Sequence, residues 1–279
     1  MKKNLLIVVI LAVCSIEMVK GQTVADSLAI VSACWKIENF QKGIVYKYAS
    51  IPQLYQGPQS ISLIEIDPVA GLKVGVAVSD KMKETSKIAS EYNAIAAING
   101  SYFDMKRGNS VCFLKADRQI IDTTMQSEFK LRVTGAINVR KGKIKLIPWS
   151  KQIEKEYEGE TGMVLASGPL MLKDGQICDW NSCGTKHPRS AVATTKEGKI
   201  LLITVDGRFP EQAEGVNIPE LAHLIRILGG EDALNLDGGG STTLWLSGAS
   251  DDGVVNYPCD NGRFDHAGER KVPNILYIH

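Results

Sequence analysis

The chain is a succession of short apolar runs, three of them closed by an asparagine or aspartate followed by glycine. Residues 61–66 and 72–78 alternate apolar and polar positions, which predicts two half-buried strands. Asp80 predicts the cap of a helix running to about Tyr92. Residues 95–98 form an apolar run that stops at Asn99-Gly100. Residues 130–140 and 143–148 flank Lys141-Gly142, and 189–195 and 199–205 flank Lys196-Glu197-Gly198, so each pair reads as a hairpin. One strong helix is predicted over 218–228. Asn217 and Glu220 make a capping box, Pro219 sits in the first turn and Gly229 closes it. Its apolar residues wrap most of its surface, which implies burial. With no internal repeat and no low-complexity tract, the pattern predicts a single α+β domain, a mixed β-sheet core with a few packed helices.

The first segment reads as an address. Lys2 and Lys3 precede the apolar run 5–13, and polar residues follow, then Val19-Lys20-Gly21, the order of a secretory signal peptide. The division is 1–21 signal peptide, 22–60 N-terminal extension and 61–279 the main domain. The expectation is therefore an exported protein, periplasmic or secreted. Leu11-Ala12-Val13-Cys14 also offers a lipoprotein alternative through Cys14, although Val13 stands where a small residue is expected. The nine-residue run is too short to span a bilayer, and no other stretch suits an integral membrane protein. Of the six cysteines, five lie beyond the leader, and Cys178 and Cys183 are the best candidates for a disulfide.

Composition narrows the function. Hydrophobic residues make up 44% and charged residues 23%, within the globular range. A formal net charge of +1, with no basic stripe, argues against a nucleic-acid partner. Four scattered histidines, at 187, 223, 266 and 279, and the lack of a C-x-x-C pair argue against a zinc site. No required cofactor and no protein partner follow from the sequence. Asp251, Asp252, Asp260 and Asp265 form an acidic late loop; a structural calcium site there is the alternative to a solvated loop, which is preferred.

The chemistry gathers at three strand ends: Asn99-Gly100, Asp206-Gly207-Arg208 and Asp237-Gly238-Gly239-Gly240-Ser241-Thr242. An isolated Asp-Gly is a turn signal and no more. Three of them can place polar side chains on one rim, and glycines let a ligand approach the backbone. Asp206 and Asp237 supply the two carboxylates that glycoside hydrolysis commonly uses. Arg189 and Arg208 can hold a phosphate or carboxylate through their planar forks.

Six blocks, in order, resemble the phosphodiester glycosidase family. They are Asn99-Gly100-Ser101-Tyr102-Phe103, Ser167-Gly168-Pro169-Leu170, Pro188-Arg189-Ser190-Ala191-Val192, Val205-Asp206-Gly207-Arg208, Leu236-Asp237 with the glycine run to Thr242, and Arg270-Lys271-Val272-Pro273-Asn274. The resemblance covers about 61–279. It implies hydrolysis of a sugar 1-phosphodiester, of the N-acetylglucosamine type, at the anomeric C–O bond. Asp237 would act as nucleophile, base or stabiliser of the positive sugar, with Asp206 as the second carboxylate. Arg189, then Arg208, would hold the phosphate. Asn99, Gly100, Tyr102, Gly238, Gly239, Ser241 and Thr242 would complete the substrate site, with no metal. Two other classes remain open at this point: a non-catalytic glycan-binding protein, and a metal-dependent phosphodiesterase that cuts the P–O bond.

Overall fold

A computed structural model describes residues 23–116, 118–180 and 183–279. The leader, with Cys14, lies outside the described residues. Within them the apolar runs become seventeen strands and five α-helices. All ladder pairings are antiparallel. The strands form an eight-stranded, a five-stranded and a four-stranded sheet.

The large sheet has Gly57–Ile66, Ile200–Val205, Arg189–Thr195 and Gly230–Asn235 side by side at its centre. The predicted hairpin of Arg189–Thr195 with Ile200–Val205 is present, Arg189 facing Val205. Gly57–Ile66 runs across the 60/61 boundary. The preceding hairpin of Lys36–Gln41 and Ile44–Leu54 extends the same sheet. The half-buried reading of 61–66 is corrected. Ile61 and Leu63 pack into one core with helix Ile218–Ile227, while Ile64 and Ile66 pack into another. Both faces are covered, so alternation here separates two cores instead of core from solvent.

The second core brings the three sheets together: Ile64 and Leu234 from the large sheet, Ile98 and Leu276 from the four-stranded one, and Ile137 and Leu165 from the five-stranded one. The late helix has its reciprocal capping box. Asn217 Oδ1 accepts from Glu220 N and Glu220 Oε2 accepts from Asn217 N, each at 2.9 Å. Gly229 follows at φ +90°, a conformation suited to glycine.

Three expectations are revised. Asp80 lies inside strand Val74–Glu84, whose end pairs with Lys271 and Val272; that pairing postpones the helix to Thr85–Glu91. Residues 126–131 form a short helix, so the strand before Lys141-Gly142 begins only at Gly135. Cys178 and Cys183 are free thiols, as are the other described cysteines. Cys178 N is bonded to Met171 O and Cys183 O to Ile218 N, which ties the two residues to different elements.

Candidate active site

The register of the large sheet decides which side chains meet. Arg189 lies opposite Val205, and Ala191 lies opposite Asn235. Arg189, Asp206 and Asp237 therefore leave the sheet at one end. Strand Ala96–Asn99 of the small sheet arrives at the same place. Asn99 Nδ2 donates to Asp237 O at 2.7 Å, and Asp237 N donates to Gly100 O at 3.0 Å.

Asn99 is wholly buried, and its Oδ1 accepts from Ser190 Oγ at 2.6 Å and from Thr243 N at 3.1 Å. Its amide is consumed in joining two sheets, so the expected contact with a sugar is corrected to a structural knot. Gly100 is corrected in the same sense. A Cβ there would lie 1.9 Å from Asn274 Oδ1, so its glycine serves close approach to strand Lys271–Ile278. The same Asn274 oxygen accepts from Ser101 N at 2.9 Å.

The carboxylates have different surroundings. Asp206 is fully buried and accepts from Ser60 Oγ at 2.7 Å, Asn256 Nδ2 at 2.9 Å and Tyr257 N at 3.0 Å. Burial pushes its pKa up to about 6 against the lowering effect of those bonds. Asn256 Nδ2 also donates to Thr242 O, and Asn256 Oδ1 accepts from Leu244 N, so Asp206 holds the residue that braces the glycine-rich turn. Asp206 does not line the cavity in which Asp237 sits; it stands in the framework behind the turn.

Asp237 lines a cavity of about 500 Å³, with Gly238 and Gly239 beside it. Burial pushes its pKa up to about 6 as well, while the Ser241 hydroxyl, the Arg132 charge, the Gly238 amide and the Arg270 charge pull the other way. Ser241 exerts this without a well-formed hydrogen bond. Ser241 and Thr242 are buried behind the turn and do not line the cavity, which corrects their assignment as ligand contacts.

Three arginines share the cavity with Asp237: Arg189 and Arg208, both singled out by the sequence, and Arg132, which the sequence pattern missed. Arg189 is aimed by its backbone partners, Nε to Val216 O at 3.0 Å and Nη2 to Thr185 O at 2.8 Å. Burial and the neighbouring Arg132 charge lower its pKa, yet a guanidinium stays charged at neutral pH. Arg208 holds φ +69°, with Nη1 3.7 Å from Cys259 Sγ. A Cβ on Gly239 would lie 2.9 Å from its Nη2, so that glycine makes room for the guanidinium.

Arg132 lies 3.6 Å over the Tyr102 ring and pairs with Glu128 at 2.8 Å. Tyr102 is fixed in turn: its hydroxyl donates to Gly168 O at 2.5 Å and accepts from Asn235 Nδ2 at 2.7 Å. Tyr102 thus lines the cavity and also supports a cation. Leu131, Pro169, Trp180 and Ile218 add an apolar wall. The site can hold an anion on one side and a weakly polar ring on the other, with one carboxylate between.

Among the described residues no three His, Cys, Asp or Glu side chains gather as a metal site would require. Two of the late acids are already engaged, Asp260 with Arg270 and Asp265 with Asn261 and Ala267 N.

A family model described as phosphodiester glycosidase matches residues 92–279. The mouse N-acetylglucosamine-1-phosphodiester alpha-N-acetylglucosaminidase is 25% identical over 205 residues, 66% of this chain and 37% of that protein. The human protein of the same name is 33% identical over 222 residues, 71% of this chain and 39% of that protein. The chain thus spans less than two fifths of the length of these relatives. The catalytic domain of the zebrafish protein of that name, solved in a state auto-inhibited by its pro-peptide, matches with a TM-score of 0.66 at 20% identity, over 87% of this chain and 85% of that one. A hypothetical protein from Synechocystis matches at 0.61 and 15% identity, over 88% and 63% of the two chains, so both share the fold. With the family match extending from before Asn99 to the end of the closing strand, this chain belongs to the phosphodiester glycosidase family.

Proposed function

We propose that the chain hydrolyses the anomeric C–O bond of a sugar 1-phosphodiester of the N-acetylglucosamine type, giving free sugar and a phosphomonoester. The observation that carries this reading is the placing of Asp237 in one cavity with Arg132, Arg189 and Arg208. A phosphomonoester departs without strong acid assistance, so one carboxylate in the cavity is sufficient. Arg189 and Arg208 hold the phosphate and stabilise the charge that grows on it as the bond breaks. Asp237, ionised, faces the positive sugar carbon and either attacks it or takes the proton from the attacking water. Trp180, Pro169 and Leu131 offer the sugar an apolar face. Export to the periplasm or the medium is part of the proposal, supported by the charged-then-apolar order of residues 2–13, and cell fractionation would test it.

The decisive experiment is turnover of UDP-N-acetylglucosamine in ¹⁸O-labelled water. Free N-acetylglucosamine carrying the label supports the proposal. Label in the phosphate instead would mean P–O cleavage and would overturn it. Saturable binding without turnover would favour a glycan-binding protein.

A further inference from the structure

A second cavity of about 640 Å³ lies between the hairpin Lys36–Gln41/Ile44–Leu54 and the segment 248–257. Its composition differs from the arginine-lined cavity. Tyr46, Tyr48, Phe40 and Tyr257 line it, with Lys36 and Glu38. The hairpin register produces this face: Lys36 lies opposite Tyr48 and Glu38 opposite Tyr46. Residues two apart on a strand point the same way, so Lys36 and Glu38 share the tyrosines' face, and Phe40, at the irregularity between Asn39 and Gln41, also lines the cavity. Lys36 Nζ lies 5.8 Å from the Tyr48 ring centroid. Tyr46 is pinned by its hydroxyl, which donates to Val255 O at 2.8 Å. Lys36 and Glu38 are exposed and offer donors and an acceptor whose charges cancel.

A row of rings runs from the second cavity to the residue next to Arg208. Phe209 follows Arg208 in the chain and lies 5.2 Å from Phe264, which stacks on Tyr257 at 4.0 Å; Tyr257 lies 6.0 Å from Tyr48. Tyr257 N also bonds to Asp206, so the rings are anchored to the framework that carries the catalytic turn.

We propose that this second cavity binds neutral pyranose residues of the same glycan whose phosphodiester occupies the arginine-lined cavity; the proposal rests on the function proposed above. Aromatic faces suit the apolar C–H face of a sugar ring, and a balanced Lys–Glu pair suits its hydroxyls. The absence of cationic excess beside the tyrosines sets this site apart from the phosphate site. Continuity along the ring row favours a glycan chain that reaches from one cavity to the other.

The test measures binding of penta-N-acetylchitopentaose to the full chain by calorimetry, with UDP-N-acetylglucosamine turnover beside it. The expected result is saturable binding that Tyr48→Ala weakens at least tenfold, that Tyr48→Phe largely keeps and that Asp237→Asn leaves unchanged. The exposed double variant Lys36→Ala/Glu38→Ala should weaken binding several-fold, and it serves if Tyr48→Ala fails to fold. UDP-N-acetylglucosamine turnover should be unchanged in the double variant, because that small substrate fills only the arginine-lined cavity. No pentasaccharide binding by the wild type, or binding indifferent to both sets of hairpin variants, would overturn the proposal. So would self-association of the chain through this face, seen as a dimer by light scattering that the double variant abolishes. Absence of turnover with hairpin-dependent binding intact would sink the catalytic reading and leave this site standing.

Discussion

The amide of Asn99 and the main-chain carbonyl of Asp237 are joined by a 2.7 Å hydrogen bond between residues 138 positions apart. This bond fixes the turn that carries the cavity's carboxylate to the end of a strand in another sheet. It makes Asn99 a positioning residue, and its loss should be felt in stability and rate together. Asn99→Ala strands the Asp237 carbonyl, Ser190 Oγ and Thr243 N without their partner. The expected cost is on the order of 3 kcal/mol, since each stranded buried group costs about 1–3 kcal/mol and neighbours relax in part. Denaturant unfolding checks the first expectation. A fall in kcat with little change in KM checks the second.

Asp237→Asn should remove activity while stabilising the fold. Loss of the ionised group should lower kcat on the order of 10³-fold. Because burial raises the folded pKa to about 6, ionisation opposes folding once pH passes the unfolded value near 3.8. The variant should gain about 1–2 kcal/mol over wild type at pH 7, discounted for the carboxylate's open side, and nothing at pH 3. Parallel melts at the two pH values decide it; a variant no more stable at pH 7 than at pH 3 would contradict the assignment.

The pH–rate profile should carry one acid limb. Asp237 works in its ionised form, so kcat/KM should rise tenfold per unit up to about pH 6 and then level. Asp206 shares that pKa but lies outside the cavity. Asp206→Asn should therefore lower the overall rate, by loosening the bonds to Ser60, Asn256 and Tyr257 N, while leaving the limb in place. A limb that vanishes in Asp206→Asn would mean that Asp206 is catalytic after all.

Arg189→Lys should raise KM for the phosphodiester about 10–100-fold, because an ammonium cannot reproduce a fork aimed by Val216 O and Thr185 O. Arg132→Lys should have a smaller effect, since Glu128 already balances part of its charge. Initial rates against substrate concentration at two ionic strengths separate these outcomes, with the wild type the more salt-sensitive.

Much of this site is legible in the residues. Strand ends at Asn99, Asp206 and Asp237 could be placed from the apolar runs and the glycines that follow, and the late helix from its capping box. What remained hidden depends on partners distant in sequence. Asn99 and Asp237 look alike as strand-end polar residues, and only the register of two sheets shows that one braces the other. Asp206 reads as a second carboxylate until Ser60, Asn256 and Tyr257 N are found around it. Arg132 carries no local signal: it follows a short helix inside a segment whose pattern reads as strand, and only its place over the Tyr102 ring gives it meaning. The half-buried reading of 61–66 failed because the alternation rule presumes water on one side.

The knot at Asn99 also bears on how the cavity comes into being. Its partners, Ser190, Asp237 and Thr243, come from the later half of the chain and meet only after long loops have closed. Such far-separated contacts form slowly, and a chain emerging from synthesis cannot make them until its C-terminal third has arrived. The cavity is thus a late product of folding. An intermediate that stops short of Thr243 lacks the complete knot, and the turn that carries Asp237 is not yet braced.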